Sequence, residues 1–292
     1  MFRIKLLAGS LALLASATAH AQASKTFKFD EAPGPATFTA YGVEITMQPR
    51  KETDDLIEVA AAVRVPGYQS IIVDEEGGSS PFYARWVGIG KLSSTDPVPS
   101  VLFEGFTGGA HCCATLKAVV PNAGKLKAVE FEPVDGDSDK LFPKDVDGDG
   151  TVDIVRQDDN FRYQFASGAG SFSPPVIFNI FKGQIIDVST QPAFAELWEA
   201  FAKKTRAGCV DRSDEDRNGA CAAYVAASAR LGRYDPAMKE VERFAIQTGN
   251  ITLPSRCAVP LVGEQCPAGK DEKFYTFSSA LRWFLKDRGY ID

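Results

Sequence analysis

The sequence predicts a mainly β protein that ends in a small, disulfide-stapled α-helical unit. From about residue 26 to residue 190, short runs of β-branched and aromatic residues are separated by Gly, Pro, Asp and Ser. From Gln191 onward, apolar residues recur at the three- and four-residue spacing of amphipathic helices. Four of the six cysteines lie in this last part of the chain, where they can staple helices and loops.

The first part predicts antiparallel strands, because several of its apolar runs alternate with polar residues. The predicted strands are residues 43–47, 56–65, 70–73, 82–89, 101–106, 115–120, 127–131, 152–155, 161–165 and 176–181. The alanines of 56–65 also suit a helix, and Pro66-Gly67 ends that element in either case. A closed propeller needs about four blades or more, which is more than about 160 residues supply. We therefore expect either partial propeller-like sheets or a β-sandwich.

The last part predicts three amphipathic helices. Their apolar stripes are Phe194, Leu197, Trp198 and Phe201; then Cys221, Tyr224, Val225 and Ser228; and finally Phe277, Leu281, Phe284 and Leu285, with Thr276 or Ser278 as the N-cap. The change of period places a domain junction at Gln191-Pro192. The predicted organisation is a signal peptide (1–21), an all-β domain (22–190) and a helical C-terminal unit (191–292).

The N-terminus predicts export. Arg3 and Lys5 precede an apolar stretch over residues 6–15, and Ala19-His20-Ala21 has the small-x-small pattern of a signal-peptidase site. No cysteine follows for a lipid anchor, and no later run approaches the roughly 18 apolar residues of a membrane span. We expect a soluble mature protein in the bacterial periplasm or secreted beyond it.

The predicted mature chain is acidic. Removing residues 1–21 removes two cations and no acids, so the net charge of −6 becomes −8. A negative surface repels phosphate backbones and anionic lipids. The charge therefore argues against nucleic acids and membrane surfaces as partners.

All six cysteines remain after removal of the signal peptide, and an oxidising compartment favours their pairing. Six cysteines allow 15 pairings, which sequence alone does not resolve. Short polar or Pro/Gly-rich segments favour the local pairs Cys209–Cys221 and Cys257–Cys266, with crossed pairing of these four as the alternative.

The other two cysteines, Cys112 and Cys113, are adjacent and follow His111. They form either a vicinal disulfide, a pair of free thiols, or a redox site in which His111 lowers the pKa of a thiol. Neighbouring residues of a strand point to opposite faces, so His111 and Cys112 are poorly placed to act together. This geometry favours a structural disulfide or a buried thiol.

The segment from Asp145 to Asp153 predicts a calcium loop. Carboxylates stand at loop positions 1, 3, 5 and 9, and Gly150 stands at position 6. Ca²⁺ takes roughly 6–8 oxygen ligands, so several carboxylates must converge on one point. The predicted ligands are the side chains of Asp145, Asp147, Asp149 and Asp153 and the backbone carbonyl of Thr151. Without a cation the carboxylates would repel one another, although a solvated acidic turn remains the alternative.

The loop is not an EF-hand, because Arg156 stands at position 12, where that motif needs a bidentate glutamate. It resembles the calcium loops of FG-GAP and VCBS repeat proteins, such as integrin alpha-type propellers, over about residues 142–155. This resemblance implies a hairpin loop that runs into a buried strand. The sequence holds no second intact copy, since Asp135-Gly136-Asp137-Ser138-Asp139 is followed by Lys140 and Pro143 at the glycine and ninth-ligand positions.

Enzyme motifs are scarce. His111 is the sole histidine after the signal peptide, which excludes multi-histidine metal sites, and phosphate-cradling, dinucleotide and Gly-x-Ser-x-Gly motifs are missing from the sequence. We therefore expect an exported, non-enzymatic calcium-binding protein that acts as a binding or envelope module, with an unidentified protein or glycan as partner. The alternative is an exported enzyme, either a carboxylate-based hydrolase or a thiol/disulfide redox protein that uses Cys112 and Cys113.

Overall fold

The computed structural model describes residues 23–29, 34–51, 57–74, 85–106, 112–136, 142–211, 216–260, 262 and 265–292. The predicted signal peptide and His111 lie outside these residues, as does the side chain of Cys112. What the sequence predicts for them stays a prediction.

The β part folds into antiparallel sheets. In chain order its strands are β1 (Ser24–Phe29), β2 (Ala36–Ala40), β3 (Val43–Lys51), β4 (Ile57–Arg64), β5 (Ile71–Asp74), β6 (Arg85–Gly90), β7 (Ser100–Phe106), β8 (Cys112–Asn122), β9 (Lys125–Asp135), β10 (Ile154–Gln157), β11 (Pro175–Phe181) and β12 (Gln184–Asp187). The sheet orders are β2-β3-β4-β5, β1-β6-β7-β8-β9 and β10-β11-β12. Two further short strands, β13 (Ser255–Cys257) and β14 (Asp271–Lys273), pair with each other.

The four-stranded and five-stranded sheets pack face to face. Their shared core takes Val43, Ile45, Val59 and Val63 from one sheet and Val87, Ile89, Val101, Phe103 and Val119 from the other. Of the two arrangements that the sequence left open, the structure shows the β-sandwich. Alternation along β7 explains how it forms, because Val101 and Phe103 face this core while Leu102 faces the opposite side.

The opposite side of the five-stranded sheet carries a second core. Leu102, Leu116, Val120 and Phe131 of the sheet pack there with Phe142, Val152 and Ile154. Phe142 lies directly on β6, since a β-carbon at Gly88 would stand 2.8 Å from its ring and one at Gly90 would stand 2.9 Å from it. These two glycines therefore make room for Phe142, which holds residues 145–153, here called the acidic loop, against the sheet.

The helical unit contains α1 (Ala195–Asp211), α2 (Arg217–Arg230), α3 (Tyr234–Phe244) and α4 (Phe277–Asp287). The disulfide Cys209–Cys221 joins α1 to α2, and Cys257–Cys266 closes the loop beside β13. Both pairs are those that the spacing favoured. Among the described residues, no helix has the length and apolar character needed to cross a membrane.

The core of the helical unit extends across the predicted junction at Gln191-Pro192. Phe161, Phe165 and Ile177 from the preceding part are buried together with Trp198 and Phe284 of the helices. The helices therefore pack on the β part through a continuous apolar core, although they begin where the sequence pattern changes.

One predicted strand is wrong, and several elements were not predicted. Residues 161–165 are not a strand: a 3₁₀ turn over Asp159–Phe161 is followed by irregular turns, in which Tyr163 has φ 60°. Phe161 and Phe165 alternate like strand residues because both are buried among the helices. Within the predicted element 56–65, Ile57–Arg64 form a strand rather than a helix. The elements that the sequence pattern did not predict are β1, β2, β12, β13, β14 and α3.

Candidate metal centre

The structure brings Asp145, Asp147 and Asp149 together. One carboxylate oxygen from each lies within 4.8 Å of the others. Two oxygens on opposite sides of a calcium ion, each at about 2.3–2.6 Å, would be roughly 4.6–5.2 Å apart. The three side chains are thus spaced as ligands of one such cation would be, and they project from a loop that is largely exposed.

The loop owes its shape to short hydrogen bonds between backbone amides and its own carboxylates. The amides of Gly148 and Gly150 donate to the two oxygens of Asp145 at 2.7 and 2.9 Å. The amide of Asp149 donates to Asp147 at 3.1 Å, and that of Thr151 donates to Asp149 at 2.6 Å. Each carboxylate oxygen offers more than one acceptor site, so these bonds leave room for a cation.

Glycine is required at loop position 6. Gly150 has φ +89°, in the left-handed region that favours glycine, and a β-carbon there would lie 2.8 Å from the hydroxyl of Ser94. This is the glycine that the calcium-loop pattern places at position 6. It also follows that the loop lies close against the segment that contains Ser94.

Asp153, the predicted ligand at position 9, is not part of the cluster of three. Its side chain is 2% exposed. One of its oxygens accepts the amides of Val146 at 2.7 Å and Asp147 at 3.4 Å, and the other accepts the side-chain amide of Asn179 at 2.8 Å. In this structure Asp153 therefore braces the start of the loop from below.

Thr151 lies opposite Ser93 in an isolated antiparallel bridge. On either side of it, the amide of Ser94 donates to the carbonyl of Gly150 at 2.8 Å, and the amide of Val152 donates to the carbonyl of Leu92 at 2.7 Å. The end of the loop is thereby fixed to the connection between β6 and β7. The role of the Thr151 carbonyl as a calcium ligand remains a prediction.

The charges of the loop oppose one another. Partial burial raises the pKa of Asp147, and the charges of Asp149, Asp153 and Asp145 raise it further, although the amide of Asp149 lowers it. A divalent cation would turn this repulsion into attraction. The donor set consists of hard oxygen atoms, which suits calcium or magnesium rather than a soft metal.

Sequence reasoning missed the partners of the loop that lie far along the chain. Asn179 of β11 holds Asp153, and the segment 92–94 holds the loop's end. The only signal for Asn179 was one polar residue inside the apolar run of β11, which by itself does not identify a partner. The segment 92–94 carried no distinguishing pattern.

The predicted thiol site is described only in part. Cys113 is disulfide-bonded. His111 and the side chain of Cys112 lie outside what the structure describes. A redox role for this pair stays a prediction.

Two clefts flank strand β10. The first, here called the loop-side cleft, has a volume of about 720 Å³ and lies between the acidic loop, β10 and α1. The second has about 740 Å³ and includes Asp158, Asp159, Asp187 and Tyr290 in its lining.

The aspartates of the second cleft accept hydrogen bonds from other parts of the fold. Asp158 accepts the hydroxyl of Tyr290 at 2.9 Å, Asp187 accepts the amide of Ser189 at 2.8 Å, and Asp159 accepts the amide of Asp135. Burial raises the pKa of Asp159 above the usual range of aspartate. An acid-lined cleft thus exists, but these contacts single out no general acid and base, and a hydrolase stays the alternative.

Comparison with known proteins extends beyond the loop. Residues 194–289, which contain helices α1 to α4, match the sll0997 C-terminal domain family. The chain is 30% identical over 234 residues to the probable thylakoid lumen protein sll0997 of Synechocystis sp. (strain ATCC 27184 / PCC 6803 / Kazusa). The aligned region covers 79% of this chain and 68% of that protein. A match of this length includes part of the β sheets.

A second relative is the uncharacterized protein y4bJ of Sinorhizobium fredii (strain NBRC 101917 / NGR234). It is 29% identical over 195 residues, which cover 66% of this chain and 30% of that protein. No solved structure matches the chain.

Proposed function

The chain belongs to the family of the probable thylakoid lumen protein sll0997, and we propose that it is an exported calcium-binding protein in which Ca²⁺ stabilises a β scaffold. The scaffold serves as a non-enzymatic binding or envelope module for a protein or glycan. The lumenal location in the relative's name and the apolar N-terminal stretch over residues 6–15 both support export to a periplasmic or secreted location.

The observation that carries the proposal is the convergence of Asp145, Asp147 and Asp149 within 4.8 Å. The resemblance of residues 142–155 to FG-GAP and VCBS loops supports the same metal. Asp145, Asp147 and Asp149 are the proposed side-chain ligands, with the carbonyl of Thr151 and solvent completing the shell. Asp153 acts as a brace, or joins the shell if its side chain turns.

The role of the metal is structural. The loop is attached at one end through Phe142, which packs on β6, and at the other through Val152 and Ile154 in the second core. A cation held between these ends would cross-link the loop onto the sandwich and cancel the repulsion around Asp147. Ligands that bind only the folded state raise its stability by mass action.

The test is calorimetric titration of the mature protein with Ca²⁺, together with thermal melts in Ca²⁺ and in EDTA. We expect binding of one ion and a higher melting temperature in Ca²⁺. The variant Asp147→Ala/Asp149→Ala should lose both effects. The matched control is Asp271→Ala/Asp292→Ala, which removes two exposed carboxylates outside the loop and should bind like the wild type.

A wild-type protein that neither takes up Ca²⁺ nor shifts its melting temperature would reduce the loop to an acidic turn. Equal loss of binding in the control would show that general negative charge, rather than the loop, attracts the ion. Export is tested separately, by sequencing the N-terminus of the protein recovered from the periplasm, which should begin at Gln22.

A further inference from the structure

The loop-side cleft has the dimensions of a small-molecule site. Its volume of about 720 Å³ falls in the range of roughly 300–1,000 Å³ that such sites occupy. The acidic loop contributes Val146, and Lys144 lies just before it. Strand β10 contributes Val155 and Arg156, and α1 contributes Phe201. Because α1 belongs to the segment that matches the family domain, the cleft lies where that domain meets the sheets.

The walls of this cleft leave apolar side chains in water. Val146 is 47% exposed and Val155 is 40% exposed, and Phe201 is only partly buried against the helical core. Single exposed apolar residues are common on protein surfaces. Here three of them line one cleft. A ligand with an apolar body would bury all three together, and each Å² of apolar surface removed from water contributes about 25 cal/mol of favourable free energy.

The cleft is lined by three acids (Glu104, Asp135 and Asp153) and two cations (Lys144 and Arg156). The two cations are the groups that can attract an anion. Within the described part of the chain, neither Lys144 nor Arg156 forms an ion pair. Two of the lining acids are occupied: Asp135 pairs with Arg162 at 3.5 Å, and Asp153 accepts the loop amides and Asn179. Burial lowers the pKa of Arg156, and the negative charges of Glu104 and of Asp159 from the neighbouring cleft oppose that shift.

The guanidinium of Arg156 is held in place with hydrogen-bonding capacity to spare. Its Nη2 donates to the carbonyl of Ala114 at 3.1 Å, and the group lies 5.8 Å from the centroid of the Phe131 ring. Its Nη1 is buried and has no hydrogen-bond partner among the described residues. A buried donor left unpaired is costly, so the guanidinium would gain from an acceptor that it can reach in the cleft.

We propose that the loop-side cleft binds a small organic acid: a molecule with an apolar body, which covers Val146, Val155 and Phe201, and one anionic group, which pairs with Arg156. Lys144 at the rim adds to the attraction. A guanidinium suits a carboxylate or a sulfonate because it offers several donors in a fixed plane.

Calcium controls this cleft, a step that rests on the proposed function. Val146 stands between the proposed ligands Asp145 and Asp147, and its amide is held by Asp153. A cation that fixes both neighbours also fixes the backbone of Val146 and thereby one wall of the cleft. Binding of the acid should be tighter in Ca²⁺ than in EDTA, and by linkage the acid should tighten Ca²⁺ binding by the same factor.

The first test uses a fluorescent probe of the same chemistry, anilinonaphthalene sulfonate, and its neutral analogue, N-phenylnaphthylamine. We expect the wild-type protein to bind the sulfonate more tightly than the neutral compound. Arg156→Gln should weaken sulfonate binding by about 10- to 100-fold, as expected for the loss of a charged hydrogen bond, and should change the binding of the neutral compound little. Circular dichroism checks that this variant is folded.

Val155→Glu gives a second test that does not disturb a buried group, since Val155 is exposed. It adds a negative charge to the apolar wall and should weaken the sulfonate more than the neutral compound. The control is Val262→Glu, because Val262 is 71% exposed and does not line the cleft. Sulfonate binding that Arg156→Gln and Val155→Glu leave unchanged, or that Val262→Glu weakens equally, would overturn the proposal.

The outcomes separate the cleft from the calcium loop. Calcium binding is measured by calorimetry without the probe, and probe binding is measured in Ca²⁺ and in EDTA. If the protein takes up no Ca²⁺ but binds the probe in a way that depends on Arg156, the ligand site in the cleft is supported. Its control by calcium and the proposed calcium-binding function are then both wrong. Uptake of Ca²⁺ by a protein that does not bind the probe would overturn the cleft alone.

Discussion

The acidic loop and the helical unit are held together by different forces. In the loop, carboxylates accept backbone amides, and its three proposed ligands lie at the surface or close to it. In the helical unit, Trp198, Leu281 and Phe284 are buried in an apolar core, and a disulfide joins α1 to α2. The loop should therefore respond to cations, whereas the helical unit should respond to the removal of apolar volume.

The largest expected effect is that of Phe284→Ala. Phe284 is buried, and its ring lies 4.9 Å from Phe161 and 5.2 Å from Phe165 by centroid distance. Removing it should lower the free energy of unfolding by about 3–5 kcal/mol, through lost burial and a residual cavity. Urea denaturation in Ca²⁺ and in EDTA should give the same loss, because the helical core does not depend on the cation.

The matched control is Phe181→Ala, because Phe181 is 61% exposed. It should change the free energy of unfolding by about 0.5 kcal/mol or less. A loss for Phe284→Ala that is much larger in Ca²⁺ than in EDTA would show that the two regions are not independent.

The next effect is that of Asp153→Ala, which removes the brace beneath the loop. The amides of Val146 and Asp147 and the side chain of Asn179 would lose their acceptor in a largely buried place. We expect a loss of about 2–3 kcal/mol in the free energy of unfolding, already present in EDTA. Urea denaturation of the variant in both conditions measures it.

Asp149→Ala is the comparison that sharpens this prediction. Asp149 is exposed and accepts one amide of its own loop. In EDTA, Asp149→Ala should therefore lower the free energy of unfolding only slightly, and the larger decrease should appear in Ca²⁺. If Asp153→Ala and the wild type had the same free energy of unfolding in EDTA, Asp153 would act only as a metal ligand. The prediction that it stabilises the loop through hydrogen bonds would then be wrong.

A smaller effect is expected where Tyr290, which follows α4, contacts Asp158, which follows β10. The hydroxyl of Tyr290 donates to Asp158 at 2.9 Å in a buried place. Tyr290→Phe should lower the free energy of unfolding by about 1–2 kcal/mol at neutral pH, because Asp158 loses a donor. Tyr275→Phe, at an 86% exposed tyrosine, should have no measurable effect.

The same contact makes a prediction about pH. Burial, and then the charge of Asp158, raises the pKa of Tyr290 far above its usual value. A raised pKa means that the folded protein holds the proton more tightly than the unfolded chain, so this stability is complete below about pH 10 and declines as pH rises above that value. The advantage of wild type over Tyr290→Phe in urea should therefore shrink above about pH 10. An advantage that grew with pH would contradict the assignment.

The sequence was a good guide wherever the structural signal is local. The alternation in β7 and the helical spacing in α1 follow directly from which face is buried, and the turn at Gly150 is set within the loop itself. The same alternation misled at Phe161 and Phe165, because an alternating pattern records burial and not the backbone that achieves it. The aromatic rings that contact these two residues belong to α4 and to Tyr290, which lie more than 100 residues later in the chain.

The parts of the site that sequence reasoning missed depend on contacts between distant segments. Asn179 reaches Asp153 across 26 positions, and the loop-side cleft combines Glu104, Arg156 and Phe201 from three separate elements. No spacing rule relates such residues, since their distances arise only when the sheets and helices pack. Three of the four predicted carboxylates nevertheless converge, because they lie within five consecutive residues.

The smallest effect that we predict concerns the N-terminal cap of α4. It tests whether a local hydrogen bond, besides the apolar core, contributes to the stability of the helical unit. Thr276 caps α4, as one of the two candidates from the sequence, and its side chain accepts the amide of Ser279 at 3.3 Å. Thr276→Ala should lower the free energy of unfolding by about 1 kcal/mol, because that amide loses its partner at the helix start. Thr252→Ala, at an exposed threonine outside any helix, is the control. The loss should be equal in Ca²⁺ and in EDTA; a loss confined to Ca²⁺ would mean that the helix start is coupled to the loop, and the contrast between the two regions would fail.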